Sequence, residues 1–196
     1  MTNPSADARP IYTIDAQNRI VFANAAWIEF MRGEPGTRRP GSDELTIRSV
    51  IGRSVRDFTE GTQVWQLWDI LYERVRAVGA PVFVPMRCDT PSLRRLIDLE
   101  LHPLGERSIR HVCECVWSEA RPAVALLDPA YPRNDRRLLS CAWCSRIQVR
   151  IGTWEEIEDA QRTLRIEATE TLPALEKGVC TTCKQSLLKT FPARVA

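Results

Sequence analysis

Two Cys-x-x-Cys pairs constrain this chain more than any other feature: Cys141-Ala142-Trp143-Cys144 and Cys180-Thr181-Thr182-Cys183. Each such turn directs two sulfurs at one point, and two turns supply the four thiolates of a tetrahedral zinc site with no position left for substrate. The separation of Cys144 from Cys180 is longer than in a compact zinc ribbon, so a shared ion would clasp the ends of a small strand-and-helix insert. Reversible disulfides and unlinked cysteines are the competing readings. Beyond the first pair, Ile147 to Arg150 alternates as a strand, Gly152 turns the chain, and Thr153 is placed to cap a helix beginning at Trp154. The first pair therefore leads into a strand. A thioredoxin-type redox pair instead opens a helix whose N-terminus lowers the thiol pKa, so this placement argues for a static metal. The stretch from Ile147 to Val179 is too short to bury a core of its own, and its folding is expected to depend on the ion. Backbone N–H groups, Arg146 and Lys184 are expected to soften the charge of the site.

With 196 residues, 44% of them apolar, the chain can build one domain of ordinary size and a metal-held appendage. The cysteines number seven. An odd count in a reducing compartment argues against a disulfide framework and leaves Cys88, Cys113 and Cys115 as free thiols buried in strands. Cys113 and Cys115 lie two apart in a strand, project to one face and cannot form a CxxC turn. A net charge of +2 with interspersed signs gives no electrostatic reason to expect nucleic acid or an anionic membrane. The N-terminus shows neither a basic segment nor an apolar one behind it, and no apolar run approaches the roughly 18 residues of a spanning helix. A cytoplasmic location is expected.

From the N-terminus, residues 1–9 read as a frayed lead-in. Ile11, Tyr12 and Ile14 form a strand, Asp15 to Asn18 a turn, and Ile20 to Phe22 a second strand. Asn24 stands at the N-cap of a helix from Ala25 to Met31 that Gly33, Pro35 and Gly36 end, and Gly33 to Asp43 reads as an exposed loop. From Thr62 to Val78 apolar residues recur at helical spacing, with Gly79 and Pro81 as the stop. Trp65 and Trp68 on that helix read as core packing. Three strand-like runs follow: Pro81 to Cys88, Leu93 to Leu101 and Ser108 to Trp117. The expected fold is α+β: a five-stranded antiparallel sheet with helices inserted between the second and third strands. A linker is placed at 121–139, rich in proline between Arg121 and Asn134, and Val124 to Leu127 is expected to pack on the first domain. A small zinc-ribbon-like module holding Cys141, Cys144, Cys180 and Cys183 occupies 140–190.

The hairpin with Asp in its turn, Ile20-Val21-Phe22-Ala23-Asn24 and the helix carrying Trp27 and Phe30 resemble the opening of a PAS domain. Ile51-Gly52-Arg53-Ser54-Val55-Arg56-Asp57-Phe58 looks like the segment in which PAS domains run short helices across the sheet. The resemblance implies a PAS-like domain over 1–120, core about 10–118. Arg87-Cys88-Asp89-Thr90-Pro91 with Arg94-Arg95 also looks like a stretch of a group of bacterial PAS-like proteins. The tail resembles a cysteine module found after PAS or GAF modules in bacterial signalling proteins: Cys141, Trp143, Cys144, Trp154, Ile157, Glu158, Gly178, Cys180 and Cys183 match it. Lys177 stands where that pattern has His and Thr181 where it has Pro, which puts any role of the His in doubt.

Arg87, Asp89, Arg94 and Arg95 admit two readings, an anion site or a cross-strand salt-bridge ladder. The histidines are His102 and His111, with no Ser/His/Asp order, no glycine-rich phosphate loop and no carboxylate pair at metal spacing, so an enzyme is not expected. Flavin and haem are not expected either: Val50 to Gly61 holds no Cys, and His102 beside Pro103 is poorly placed as an axial ligand. The sequence thus points to a non-enzymatic bacterial sensory or adaptor protein, its PAS-like domain sensing a small molecule or forming a homodimer, with a protein signalling partner. The alternatives are a thiol redox sensor that releases zinc on oxidation, and a zinc-ribbon nucleic-acid binder, which would need a basic aromatic surface.

Overall fold

The computed structural model describes residues 8–33, 42–166 and 170–190; most of the lead-in and of the loop expected from Gly33 to Asp43 lies outside them. Strands β1 (Ile11–Ile14) and β2 (Ile20–Ala23) form a hairpin whose turn is fixed by Asp15. Its Oδ1 accepts from the N–H groups of Gln17 and Arg19, both at 2.9 Å. Asn24 caps helix α1 (Ala25–Arg32) as expected, accepting from Trp27 N–H at 2.9 Å, and the same oxygen accepts from Ile11 N–H at 3.0 Å. One buried side chain thus joins the helix start to the sheet.

After the short helix α2 (Ile47–Val50), helix α3 (Thr62–Val78) covers the sheet, and the left-handed Gly79 ends it. Strands β3 (Val82–Arg87), β4 (Leu93–Pro103) and β5 (Ile109–Ala120) complete an antiparallel sheet of order β2-β1-β5-β4-β3. The helices fall between β2 and β3, the element order that the resemblance implies. Trp65, Trp68, Leu71, Tyr72 and Val75 of α3 are buried on the sheet, so both tryptophans belong to the core. His111 lies fully buried, stacked on Tyr12 at 4.0 Å between ring centres. Burial lowers its pKa to about 3, so the ring is neutral. Burial likewise pushes the Cys113 thiol up to about 12, whereas Cys115 is exposed.

The second unit is a mixed four-stranded sheet, more than a ribbon. Strands β6 (Arg133–Cys141), β7 (Ile147–Arg150), β8 (Thr153–Glu155) and β9 (Leu172–Gly178) lie in the order β8-β7-β6-β9, with β6 and β9 parallel. Helix α4 (Ile157–Thr163) precedes β9, and helix α5 (Thr181–Thr190) follows it.

Three expectations change here. Residues 133–139, assigned to a linker, are strand; their run of Arg, Asn and Asp hides it because the register slips between Asn134 and Arg137, leaving the intervening polar residues exposed. Val124 and Leu126 do meet the first domain, Val124 N–H donating to Pro91 C=O at 3.0 Å, but their side chains pack chiefly with Leu138, Ile147, Ile157 and Leu172. The insert of Ile147 to Val179 builds no core of its own, as expected: it shares one to which Val124, Leu126 and Leu138, before Cys141, contribute three of the eight buried side chains. Finally, Thr153 begins β8, and α4 starts only at Ile157. Among the described residues, no helix is long and apolar enough to cross a membrane.

Candidate metal centre

The first CxxC is a tight turn leaving β6. Ser145 N–H donates to Cys141 C=O at 3.0 Å and Cys141 N–H to Arg146 C=O at 2.8 Å, with Ser145 in the left-handed region at φ 61°. The second CxxC opens α5, with Lys184 N–H donating to Cys180 C=O at 3.0 Å. The parallel pairing of β6 with β9 brings the turns together: Cys141 lies opposite Gly178, and Ala142 N–H donates to Gly178 C=O at 2.9 Å.

Sγ atoms of Cys141, Cys144, Cys180 and Cys183 all lie within 4.8 Å of one another. Cys144 Sγ stands 3.8 Å from Cys180 Sγ. A tetrahedron with metal–sulfur bonds of about 2.3 Å has edges of about 3.8 Å, so the sulfurs fit a thiophilic ion of zinc size. Two backbone donors address them: Cys180 N–H points to Cys141 Sγ at 3.4 Å and Cys183 N–H to Cys180 Sγ at 3.3 Å. Hydrogen bonds from Cys144 and Cys183 hold the Cys141 thiol far below its usual range. The same proximity drives Cys144 up to about 12 and Cys183 higher still, each beside Cys141. Four sulfurs so close cannot all ionise without a cation, and a divalent ion at their centre removes that penalty. Arg146 stands near the cluster but bonds Glu156 at 3.0 Å.

The centre is wedged against the five-stranded sheet. Trp143 packs on Trp68 of α3 with ring centres 5.2 Å apart, and its C=O accepts the N–H of Arg87, at the free edge of β3, at 2.7 Å. Helix α5 adds a bond from Arg74 Nη1 to Leu188 C=O at 3.0 Å. At Gly61, φ is +90° and an added Cβ would lie 2.2 Å from Lys177 C=O, so only glycine admits β9 so close to the start of α3.

Arg87, Asp89, Arg94 and Arg95 gather into an ionic network, not an open anion site. Arg87 donates twice to Asp89, at 2.8 and 2.6 Å, Arg95 N–H adds a third bond at 3.1 Å, and Arg121 Nη1 stands 3.5 Å away. The network crosses between the sheets as well as along one of them: Arg94 and Arg121 reach Glu158 of α4 at 2.8 and 3.1 Å. Arg121 is the member that the sequence reading missed, because its role depends on a partner in α4. His102 bonds Glu100 at 2.8 Å, far along the chain from the cysteines, and Cys88, Cys113 and Cys115 are not part of the four-sulfur cluster.

No family model matches this chain, and no curated protein matches it. Among solved structures it is similar to the PAS domain of Bordetella pertussis BvgS, at 16% identity and a TM-score of 0.45, over 58% of this chain and 80% of that one.

Proposed function

We propose that this protein is a non-enzymatic sensory or adaptor protein: a PAS-like domain carrying a C-terminal module closed by one structural zinc on Cys141, Cys144, Cys180 and Cys183. The observation that carries the zinc reading is the convergence of four sulfurs within 4.8 Å from two distant turns. Bound there, zinc supplies a cross-link and no Lewis-acid chemistry, since four thiolates leave no coordination position for water. The PAS-like part of the reading is supported by the order of its elements and by the residues of the opening hairpin, of α1 and of the Ile51 to Phe58 segment. Action through a signalling partner, a cytoplasmic bacterial setting and a homodimer formed through the sheet or its N-terminal flank belong to the same proposal; Phe83, Val116 and Trp117 are exposed on the sheet and support the dimer.

Metal analysis of protein purified under reducing conditions tests the reading: about one equivalent of zinc per chain is expected for a closed four-thiolate site. A content well below one overturns it.

A second reading, a thiol redox sensor, has its own support. Cys144 and Cys183 are partly exposed, and Cys144 Sγ stands 3.8 Å from Cys180 Sγ, so an oxidant reaches sulfurs that lie close enough to pair. Release of the zinc by peroxide, and its return with reductant, would favour this reading over a static one.

A further inference from the structure

The four-cysteine centre does more than close its own module, because its non-ligand residue Trp143 is embedded in the other domain. The indole is buried at 3% exposure and belongs to the core beneath the five-stranded sheet, as do Cys141, Cys180 and Leu187. From it a line of ring contacts runs through that core. Trp143 meets Trp68 at 5.2 Å, Trp68 stacks on Tyr72 at 5.5 Å, and Tyr72 meets His111 edge-on at 5.4 Å. His111 stacks on Tyr12 at 4.0 Å, and Tyr12 meets Trp27 of α1 at 5.1 Å. The backbone of the same turn pairs with the edge of β3 through Arg87 N–H.

We propose that the four-cysteine centre is a latch through which zinc loading sets the packing of α3 and the closure of the β3 edge, with Trp143 as the residue that carries the coupling. The physical basis is geometric. Trp143 lies between Cys141 and Cys144, so its backbone and ring positions are set by where those two sulfurs are held. Without the ion, protonated thiols in van der Waals contact have no common centre to hold them, and the turn loses its fixed shape. Trp143 then leaves Trp68, which opens a large gap beside α3, and Arg87 loses the acceptor of its edge N–H. The central strands β1, β4 and β5 keep their own ladders and remain closed. The state of the module is thus expressed on α3 and β3, the surfaces from which a sensory domain can address a partner. This inference rests on the zinc reading above.

The test is residue-resolved hydrogen exchange on the full chain, with and without one equivalent of zinc, and with metal content measured on each sample. In the wild-type protein, zinc removal is expected to raise exchange at Arg87 and from Trp65 to Val75 about tenfold or more, with Leu101 and Ile109 unchanged. Trp143→Ala is expected to bind its zinc while exchange in α3 is already fast and indifferent to metal; Trp143→Phe, which keeps a ring against Trp68, is expected to restore the response. A wild-type protein that takes up zinc with no change at Arg87 or α3 overturns the latch and leaves the zinc reading standing. Exchange rising equally at Leu101 and Ile109 also overturns it, since that is global unfolding. A wild-type protein that takes up no zinc overturns both, and the metal analysis identifies that case.

Discussion

Beneath the five-stranded sheet, fully buried Ile14, Ile20, Leu71, Leu101 and Ile109 pack with the rings of Trp65, Trp68 and Tyr72, whereas the four-stranded sheet gathers only a small set around Leu126, Ile147 and Leu172. The first core holds itself by apolar burial. The second has fewer large side chains, and on the zinc reading its ties make up for them: four sulfurs at one end, and at the other the salt bridges of Glu158 to Arg94 and Arg121. The difference teaches where each region is vulnerable. Losing a methyl group matters most in the first, and losing a tie matters most in the second.

Asp89→Ala is expected to have the largest effect of the substitutions considered, about 3–5 kcal/mol in urea denaturation, because it removes the buried carboxylate that Arg87 holds at two points and leaves Arg121 with Glu158 alone. Asp89 is 2% exposed, and its partners Arg87 and Arg121 are themselves 19% and 4% exposed. Asp89→Asn, whose single oxygen can still accept from Arg87 Nε and Arg95 N–H but not from Arg87 Nη2, is expected to cost less. A loss under about 1 kcal/mol would show that the ties between the regions carry little. Leu71→Ala, at a fully buried position of the first core, comes next at about 2–5 kcal/mol, and Ile147→Val in the second core is expected at about 0.5–1.5 kcal/mol. Equal costs for matched truncations in the two cores would erase the contrast between them.

Most of the first region was legible in the sequence, and less of the second, for a physical reason. Thr62 to Val78 shows a local helical period, Asn24 a local cap and Asp15 a local turn, so each of these elements is specified by its neighbours and forms as read. Strand β6 is specified by β9, some forty residues on, through a parallel pairing that leaves no alternation in Arg133 to Arg137. Cys141 and Cys180 are visible as candidate ligands because CxxC spacing is local. That Trp143 would land on Trp68, or Glu158 on Arg94, depends on how the two sheets dock, and no local pattern encodes it.

Gly61→Ala probes that docking directly. The positive φ and the approach to Lys177 C=O are expected to cost more than about 1 kcal/mol and to loosen β9 from α3, read as faster exchange at Lys177 and Gly178. An unchanged stability would mean that the sheets are not held at this distance.

The smallest effect at neutral pH is that of His111. Its folded pKa lies near 3 against an ordinary 6.5, because burial disfavours the charged ring, so the unfolded chain takes up a proton where the folded one does not. The stability is fully present above about pH 6.5 and is lost as pH falls towards 3, at up to about 1.4 kcal/mol per unit from this residue. His111→Phe is expected to flatten the acid limb of the stability curve; a limb of unchanged slope would place the acid sensitivity elsewhere.

The central claim is that the second region owes its shape to four thiolates on one ion, and X-ray absorption at the zinc edge of the reduced, native protein tests it most directly. The account predicts a single shell of four sulfurs at about 2.3 Å. A shell containing nitrogen or oxygen, or protein that carries no zinc at all, would contradict it.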